Sequence, residues 1–185
     1  MKRKSILLYI CLLLLLLQSE GYAYTLEGGS WCPTCTTVNL KVYQDSSVSS
    51  YGYGLHTNYG YSQWNGVEPR FSYSSTTSGS SANVKVFAGD THDTSWADTM
   101  NYSVTSGTTS CWTCTYQYSR IRINDPQAKL ETEFQIKKVM THEFGHALGL
   151  DHSSASTAIM RQGYLSYNTL QTDDTAGLKA IYHVN

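Results

Sequence analysis

The sequence predicts one domain of the α/β or α+β class, in which strands and helices alternate along the chain. A length of 185 residues allows a single domain of ordinary size, and 41% hydrophobic residues suffice for a packed core. Stretches of alternating polarity precede stretches of helical periodicity. The 13 basic and 14 acidic side chains balance, and no basic run follows the first four residues, so no nucleic-acid partner is expected.

The first 23 residues have the pattern of an export signal. A basic start at Lys2–Lys4 precedes the unbroken apolar run Ile6–Leu17, and the polar end that follows closes on Ala23. The alternative is a membrane anchor, but a bilayer span needs about 20 apolar residues. We therefore expect a signal peptide over residues 1–23 and a domain over residues 24–185. That domain should be secreted, extracellular, monomeric and free of the membrane.

Between the predicted signal peptide and Pro126, the sequence indicates four strands and one stretch of helical spacing. Thr36–Tyr43 alternates apolar and polar residues, which is the pattern of a half-buried strand. Ser46–Trp64 has helical spacing, although its glycines weaken a helix. Pro69–Tyr73, Asn83–Ala88 and Tyr118–Asn124 have the pattern of three more strands, separated by Ser/Thr/Gly-rich or acidic loops.

Helical periodicity dominates after Pro126. Leu130–Leu148 spaces its apolar residues as a helix does, and Gly149 is placed to end that helix. A loop to Leu170 comes next. Thr172 can then cap a last helix that carries two aspartates in its first turn.

The residues that carry chemistry lie in the segment HEFGHALGLDH. On a helix, positions i and i+4 share one face, so His142 and His146 can direct their nitrogens at one point. Gly149 permits a left-handed turn out of the helix, which returns His152 as a third ligand. Three imidazoles and one water make a tetrahedral zinc site with an open position. Glu143 points toward the cleft, where it can take a proton from the zinc-bound water.

The pattern HExxHxxGxxH is that of the metzincins. The full sequence HEFGHALGLDHS resembles the matrixins, the metzincin branch that is similar to matrix metalloproteinases. Ser153 follows the third ligand, as is common in that family. The resemblance implies a methionine in a tight turn beneath the metal, and Met160 stands where it is needed. Tyr164 matches a tyrosine of the family's wall segment, whereas Gln162 replaces the usual proline. Gln171–Tyr182 is similar to the family's last helix.

The resemblance also implies a fold and an activity. The fold is a twisted five-stranded sheet with four parallel strands and one antiparallel edge strand, an active-site helix and a C-terminal helix. We place the edge strand near Met100–Val104, where it would bind substrate by strand addition. The activity is that of a zinc endopeptidase acting on a protein or peptide. His142, His146 and His152 would hold Zn²⁺, and Glu143 would act on the attacking water.

Two further groups could bind metal. The four cysteines of the mature chain form two CxxC pairs, Cys32 with Cys35 and Cys111 with Cys114. They can make a Cys₄ zinc site, or disulfides, which export favours. The predicted loop Gly89–Asp98 carries three aspartates that could bind Ca²⁺, although a solvated acidic loop is the simpler interpretation; they are Asp90, Asp93 and Asp98.

Two other classes of function stay open. One is a non-catalytic zinc-containing protein that captures peptides without cutting them. The other is a surface-binding protein that uses some of the 15 tyrosines to contact a cell wall or glycan. Turnover of a peptide substrate distinguishes both from a protease.

Overall fold

The computed structural model describes residues 21–103, 111 and 113–183 of the chain. Its centre is a five-stranded sheet, and a second sheet has two strands. The strands are β1 (Thr25–Leu26), β2 (Val38–Gln44), β3 (Phe71–Thr76), β4 (Val84–Gly89), β5 (Ala97–Tyr102), β6 (Tyr118–Asn124) and β7 (Leu150–Asp151). The helices are α1 (Ser46–Ser50), α2 (Gly54–Ser62), α3 (Asp125–Ala128), α4 (Glu133–His146) and α5 (Thr172–Tyr182), with a 3₁₀ turn at Gly79–Ser81.

The large sheet has the strand order β3-β2-β4-β6-β5. Its first four members run parallel to one another, and β5 runs antiparallel to β6 at the edge. The predicted class, an α/β fold with a five-stranded, mostly parallel sheet and one antiparallel edge strand, is therefore confirmed.

The edge strand begins earlier than the sequence predicts. It starts at Ala97 rather than near Met100, so the last two residues of the predicted loop Gly89–Asp98 belong to β5. Asp98 lies opposite Arg122 of β6, and the two side chains form an ion pair. This cross-strand pair stabilises a segment whose polar composition resembles a loop. Val104, the predicted end of the strand, lies outside the described residues.

The two long predicted helices are present, with shifted starts. The helix predicted over Leu130–Leu148 begins at Glu133, because the Thr132 side chain accepts a hydrogen bond from the Gln135 N–H at 3.3 Å and caps it. The last helix is not capped by Thr172, which is its first helical residue. Its cap is Gln171, which shares a reciprocal capping box with Asp174.

Ser46–Trp64 forms two short helices instead of one. Gly52, at a φ of 84°, follows α1 and turns the chain before α2 starts. In α2, a Cβ at Gly60 would lie 2.7 Å from the Met140 backbone, so α2 and α4 approach backbone to backbone. Trp64, fully buried after α2, donates its indole N–H to the Thr141 carbonyl of α4 at 3.0 Å. These contacts hold α4 in the core beside the sheet.

The N-terminal segment packs against the region that follows α4. β1 pairs antiparallel with β7, and the backbone N–H groups of Ala23 and Tyr24 donate to the Asp173 carboxylate at 2.6 and 3.1 Å. All but the last three residues of the predicted signal peptide lie outside the described part of the chain, and the peptide stays a prediction. Among the described residues, no helix has the length and apolar character that a membrane span requires.

Candidate metal centre

The active-site helix α4 ends at His146, and the chain must then turn sharply to bring the third histidine near the first two. Its C-terminal turn is followed by Gly149 at a φ of 98°, a conformation that side chains other than glycine's rarely adopt. A Cβ at this position would also overlap the Gly29 carbonyl oxygen. The chain therefore turns sharply into β7, which carries it back to His152.

The three predicted histidines converge. His146 Nε2 lies 3.0 Å from His142 Nε2 and 3.2 Å from His152 Nε2. The Nδ1–H of His142 donates to the Ile159 carbonyl at 2.8 Å, and that of His146 donates to the Leu150 carbonyl at 2.7 Å. Because a carbonyl only accepts, the proton of each ring is on Nδ1, and both Nε2 lone pairs face inward.

Such a set of inward lone pairs fits a cation. Lone pairs about 3 Å apart repel one another unless a cation lies between them, and three neutral imidazoles are the ligands that Zn²⁺ accepts in open sites. Burial lowers the pKa of His142 well below its ordinary value, which keeps this ring in the neutral, ligating form. The cluster of His142, His146 and His152 can thus hold a metal ion.

Glu143 is buried next to this cluster. It is 6% exposed, and its carboxylate accepts a hydrogen bond from the Thr99 hydroxyl at 2.7 Å. The same hydroxyl lies 3.0 Å from the Glu143 backbone carbonyl, so Thr99 of the edge strand fixes both the helix and its carboxylate. Burial raises the pKa of Glu143 above its ordinary value, which makes it a better proton acceptor than an exposed carboxylate.

A second carboxylate, missed by the sequence reasoning, contacts His146. Glu27, whose side chain is 6% exposed, places Oε1 3.4 Å from His146 Nδ1. Its Oε2 accepts hydrogen bonds from the Asn101 amide and the Tyr116 hydroxyl, each at 3.0 Å. Although burial opposes it, the contact with Glu27 and the charges of Glu143 and Glu27 raise the pKa of His146. No local motif marks Glu27, because the pairing of β1 with β7 brings it to the site.

Met160 lies beneath the helix, where the family pattern predicts it. It is 1% exposed, and a Cβ at Gly145 of α4 would overlap its sulfur. The Asp174 carboxylate accepts the backbone N–H groups of Ile159 and Met160 at 2.9 and 3.0 Å, which holds this turn in place. Since the Ile159 carbonyl receives the His142 Nδ1–H, the turn also orients the first histidine.

The histidines and Glu143 open into a cavity of about 650 Å³. The edge strand and the loop before it form one wall, and residues 162–163 contribute another. Gln162, which replaces the family's proline, lines this cavity. Tyr164 beside it is 66% exposed, donates its hydroxyl to Glu131 at 2.5 Å, and packs edge-on against Trp96 at 4.9 Å between ring centroids.

The remaining candidate metal ligands have other partners. Disulfides join Cys32 to Cys35 and Cys111 to Cys114, which is the alternative that export favours. The three aspartates proposed for Ca²⁺ do not converge: Asp98 pairs with Arg122, and the other two accept N–H groups of their own turns, Asp90 from His92 and Asp93 from Ser95. Within the described residues, His142, His146 and His152 form the one group of three or more potential ligands that are close enough together to bind a single ion.

Several features of the fold and the site bear on the class of this protein. They comprise three converging imidazoles on and after one helix, a buried glutamate next to the first, and an antiparallel edge strand above them. The sequence model of the matrixin family matches residues 44–183. The chain therefore belongs to the matrixins, a zinc-dependent family.

Individual relatives match shorter stretches. The human matrix metalloproteinase-27 is 45% identical over 53 residues, which are 26% of this chain and 10% of that protein. The hatching enzyme of Paracentrotus lividus is 45% identical over 51 residues, 26% of this chain and 9% of the relative. The macrophage metalloelastase of Oryctolagus cuniculus is 50% identical over 48 residues, 24% and 10% of the two chains. The matches thus span about a tenth of each relative's length.

Proposed function

We propose that this protein is a secreted zinc endopeptidase that hydrolyses peptide bonds of a protein or peptide substrate. His142, His146 and His152 would bind Zn²⁺, and Glu143 would be the general base. The observation that carries the proposal is the convergence of three Nε2 atoms in one cavity with a buried carboxylate. Zinc, when bound, would supply a Lewis acid for the scissile carbonyl and acidify the attacking water.

The residues of the chain divide the remaining work. Glu143 accepts the proton of the attacking water and later delivers it to the leaving amine. Thr99 holds the Glu143 carboxylate toward the cavity through the 2.7 Å hydrogen bond. Ile159 and Leu150 fix the tautomers of two histidines with their carbonyls. Thr99 and Leu150 lie on strands and Glu143 lies on α4, whereas Ile159 lies in the turn that the Asp174 carboxylate holds, so each group is positioned by its surroundings.

The substrate would bind along the edge strand. Among the described residues, β5 pairs with β6 on one side only, and its residues 97–99 line the cavity. An extended peptide can add to such an edge through backbone hydrogen bonds, a recognition mode that leaves its side chains to the cavity walls.

Export is supported by two features of the chain. The basic start, apolar run and small residue at Ala23 match a signal peptide, and the four cysteines of the domain are paired as disulfides. Expression of the full chain in a secretory host, with N-terminal sequencing of the medium fraction, tests this. We expect a product that starts at Tyr24, and retention of the intact chain in the membrane fraction would contradict secretion.

The activity is tested by zinc content and casein hydrolysis of the purified domain, with and without 1,10-phenanthroline. We expect one zinc per chain and cleavage that the chelator stops. Glu143→Ala should abolish cleavage and keep the zinc, whereas His146→Ala should lose zinc. Glu133→Gln, on the exposed start of the same helix, is the matched control and should keep both. Full activity of Glu143→Ala would refute the mechanism, and peptide binding without turnover would favour the non-catalytic alternative.

A further inference from the structure

A buried lysine faces the cavity beside the histidines. Lys138 precedes His142 by four residues on α4, so it lies on the same helix face one turn away. It is 2% exposed, yet it is one of the residues that line the cavity. Lysine is almost never fully buried unless it is paired.

The charge of Lys138 has little compensation. Its ammonium donates to the Arg161 carbonyl at 3.2 Å, and none of the described carboxylates forms an ion pair with it. An ammonium has three donors, so one neutral acceptor leaves it under-satisfied. Burial lowers the pKa of Lys138 to about 8, which leaves the side chain mostly protonated at neutral pH.

Two buried carboxylates, Glu143 and Asp174, act electrostatically on Lys138, but both have other partners. Asp174 accepts three backbone N–H groups, from Ile159, Met160 and Gln171. Glu143 accepts the Thr99 hydroxyl and is the proposed base. Neither is therefore available as a dedicated counter-ion for Lys138.

The other acidic residues of the cavity belong to its opposite end or are paired. Glu27 contacts His146, and eight residues of helix, about 12 Å, separate His146 from Lys138. Asp151 accepts the backbone N–H of His152, and Asp98 is paired with Arg122. The neutral residues Val139, Gln162 and Gly163 also line the cavity, and each is close in sequence to Lys138 or to Arg161, whose carbonyl Lys138 contacts.

We propose that Lys138 makes the protease selective for peptides that carry aspartate or glutamate next to the scissile bond, with the acidic side chain bound to the Lys138 ammonium inside the cavity. This inference rests on the proposed endopeptidase function and names its substrate class. A carboxylate on the substrate would give the Lys138 ammonium the charged acceptors that it lacks within the protein. The site is desolvated, and charge-assisted hydrogen bonds are strong in such surroundings. An amide of the same shape supplies no charge, and an aliphatic side chain leaves the ammonium unsatisfied.

The test starts from substrate peptides that the enzyme itself selects. Casein is digested with the zinc-loaded wild-type domain, and the cleaved bonds are mapped by mass spectrometry. One cleaved sequence is then synthesised with Glu, Gln or Leu at each of the two positions that flank the bond. We expect kcat/KM for Glu to exceed that for Gln by about tenfold or more at one flanking position.

Variants assign the preference to Lys138. Lys138→Met should bring the Glu-to-Gln ratio close to one, Lys138→Glu should invert it, and Lys138→Arg should keep it. Lys137→Met is the matched control, because Lys137 lies next in sequence but pairs with Glu133 at the surface. Its ratio should equal that of the wild type.

The outcomes separate this inference from the proposed function. If wild type cleaves casein but does not prefer Glu over Gln at either position, the inference is wrong and the endopeptidase stands. If Lys138→Met keeps the wild-type Glu-to-Gln ratio of kcat/KM, another residue binds the acidic side chain and the inference about Lys138 is wrong. If the zinc-loaded wild type cleaves no substrate, both proposals fail. The wild-type ratio decides even where a variant does not fold.

Discussion

Lys138→Met should stabilise the zinc-free protein at neutral pH. The drop in the Lys138 pKa from 10.5 to about 8 corresponds to about 3 kcal/mol of unfavourable free energy for holding the charge in the fold. Methionine fills a similar volume without charge, but it leaves the Arg161 carbonyl without its donor, which costs about 1 kcal/mol. A net gain of about 1–2 kcal/mol in the free energy of unfolding remains.

The stability difference between Lys138→Met and the wild type should depend on pH. Between pH 8 and 10.5, the unfolded chain keeps a proton on Lys138 that the folded chain has released. The stability of the wild type should therefore rise across this range relative to Lys138→Met, and the difference between the two should shrink. Below pH 8 the full difference is present.

Urea unfolding followed by tryptophan fluorescence measures the effect, since Trp64 is fully buried and reports loss of the core. Chelator is present throughout, because a bound dication would add its own repulsion to the lysine. Lys137→Met, which breaks a surface i,i+4 pair, should change stability by only about 0.5 kcal/mol or less. A Lys138→Met variant that is less stable than wild type at pH 7, or a difference that does not vary up to pH 10.5, would refute the argument.

Three other substitutions test the supports of the site. Glu27→Gln should weaken zinc binding by about tenfold, because His146 loses a carboxylate neighbour; competition with a chelating dye measures it, and unchanged affinity would remove Glu27 from the site. Thr99→Val should lower kcat by roughly tenfold with zinc content unchanged, since Glu143 loses its anchor; equal kcat would contradict this. Gly149→Ala should cost more than about 1 kcal/mol by urea unfolding, and a neutral effect would be inconsistent with the left-handed turn.

The convergence of the three histidines could be predicted because they are close in sequence. His142 and His146 share one helix face, and Gly149 is needed for the turn that returns His152. Helix periodicity and one glycine therefore suffice to place the three histidines together.

Other parts of the site depend on contacts between distant segments. Glu27 reaches His146 through the pairing of β1 with β7, two short strands without a periodic pattern. Thr99 belongs to β5, whose polar sequence resembles a loop until the cross-strand pair of Asp98 with Arg122 is known. Periodicity also predicts the four other strands of the large sheet, whereas their order depends on tertiary packing and was implied only by the family resemblance.

The burial of Lys138 could not be predicted, although the helix that carries it was. The sequence places it on α4, where a lysine on a polar helix face is ordinarily exposed. In the fold the Lys138 ammonium contacts the Arg161 carbonyl, just after Met160, and residues 162–163 line the same cavity as Lys138. The same turn fixes His142 through the Ile159 carbonyl. The segment from Ile159 to Arg161 thus contacts His142 through one carbonyl and Lys138 through another, so the proposed metal ligand and the proposed specificity residue are positioned by the same part of the chain.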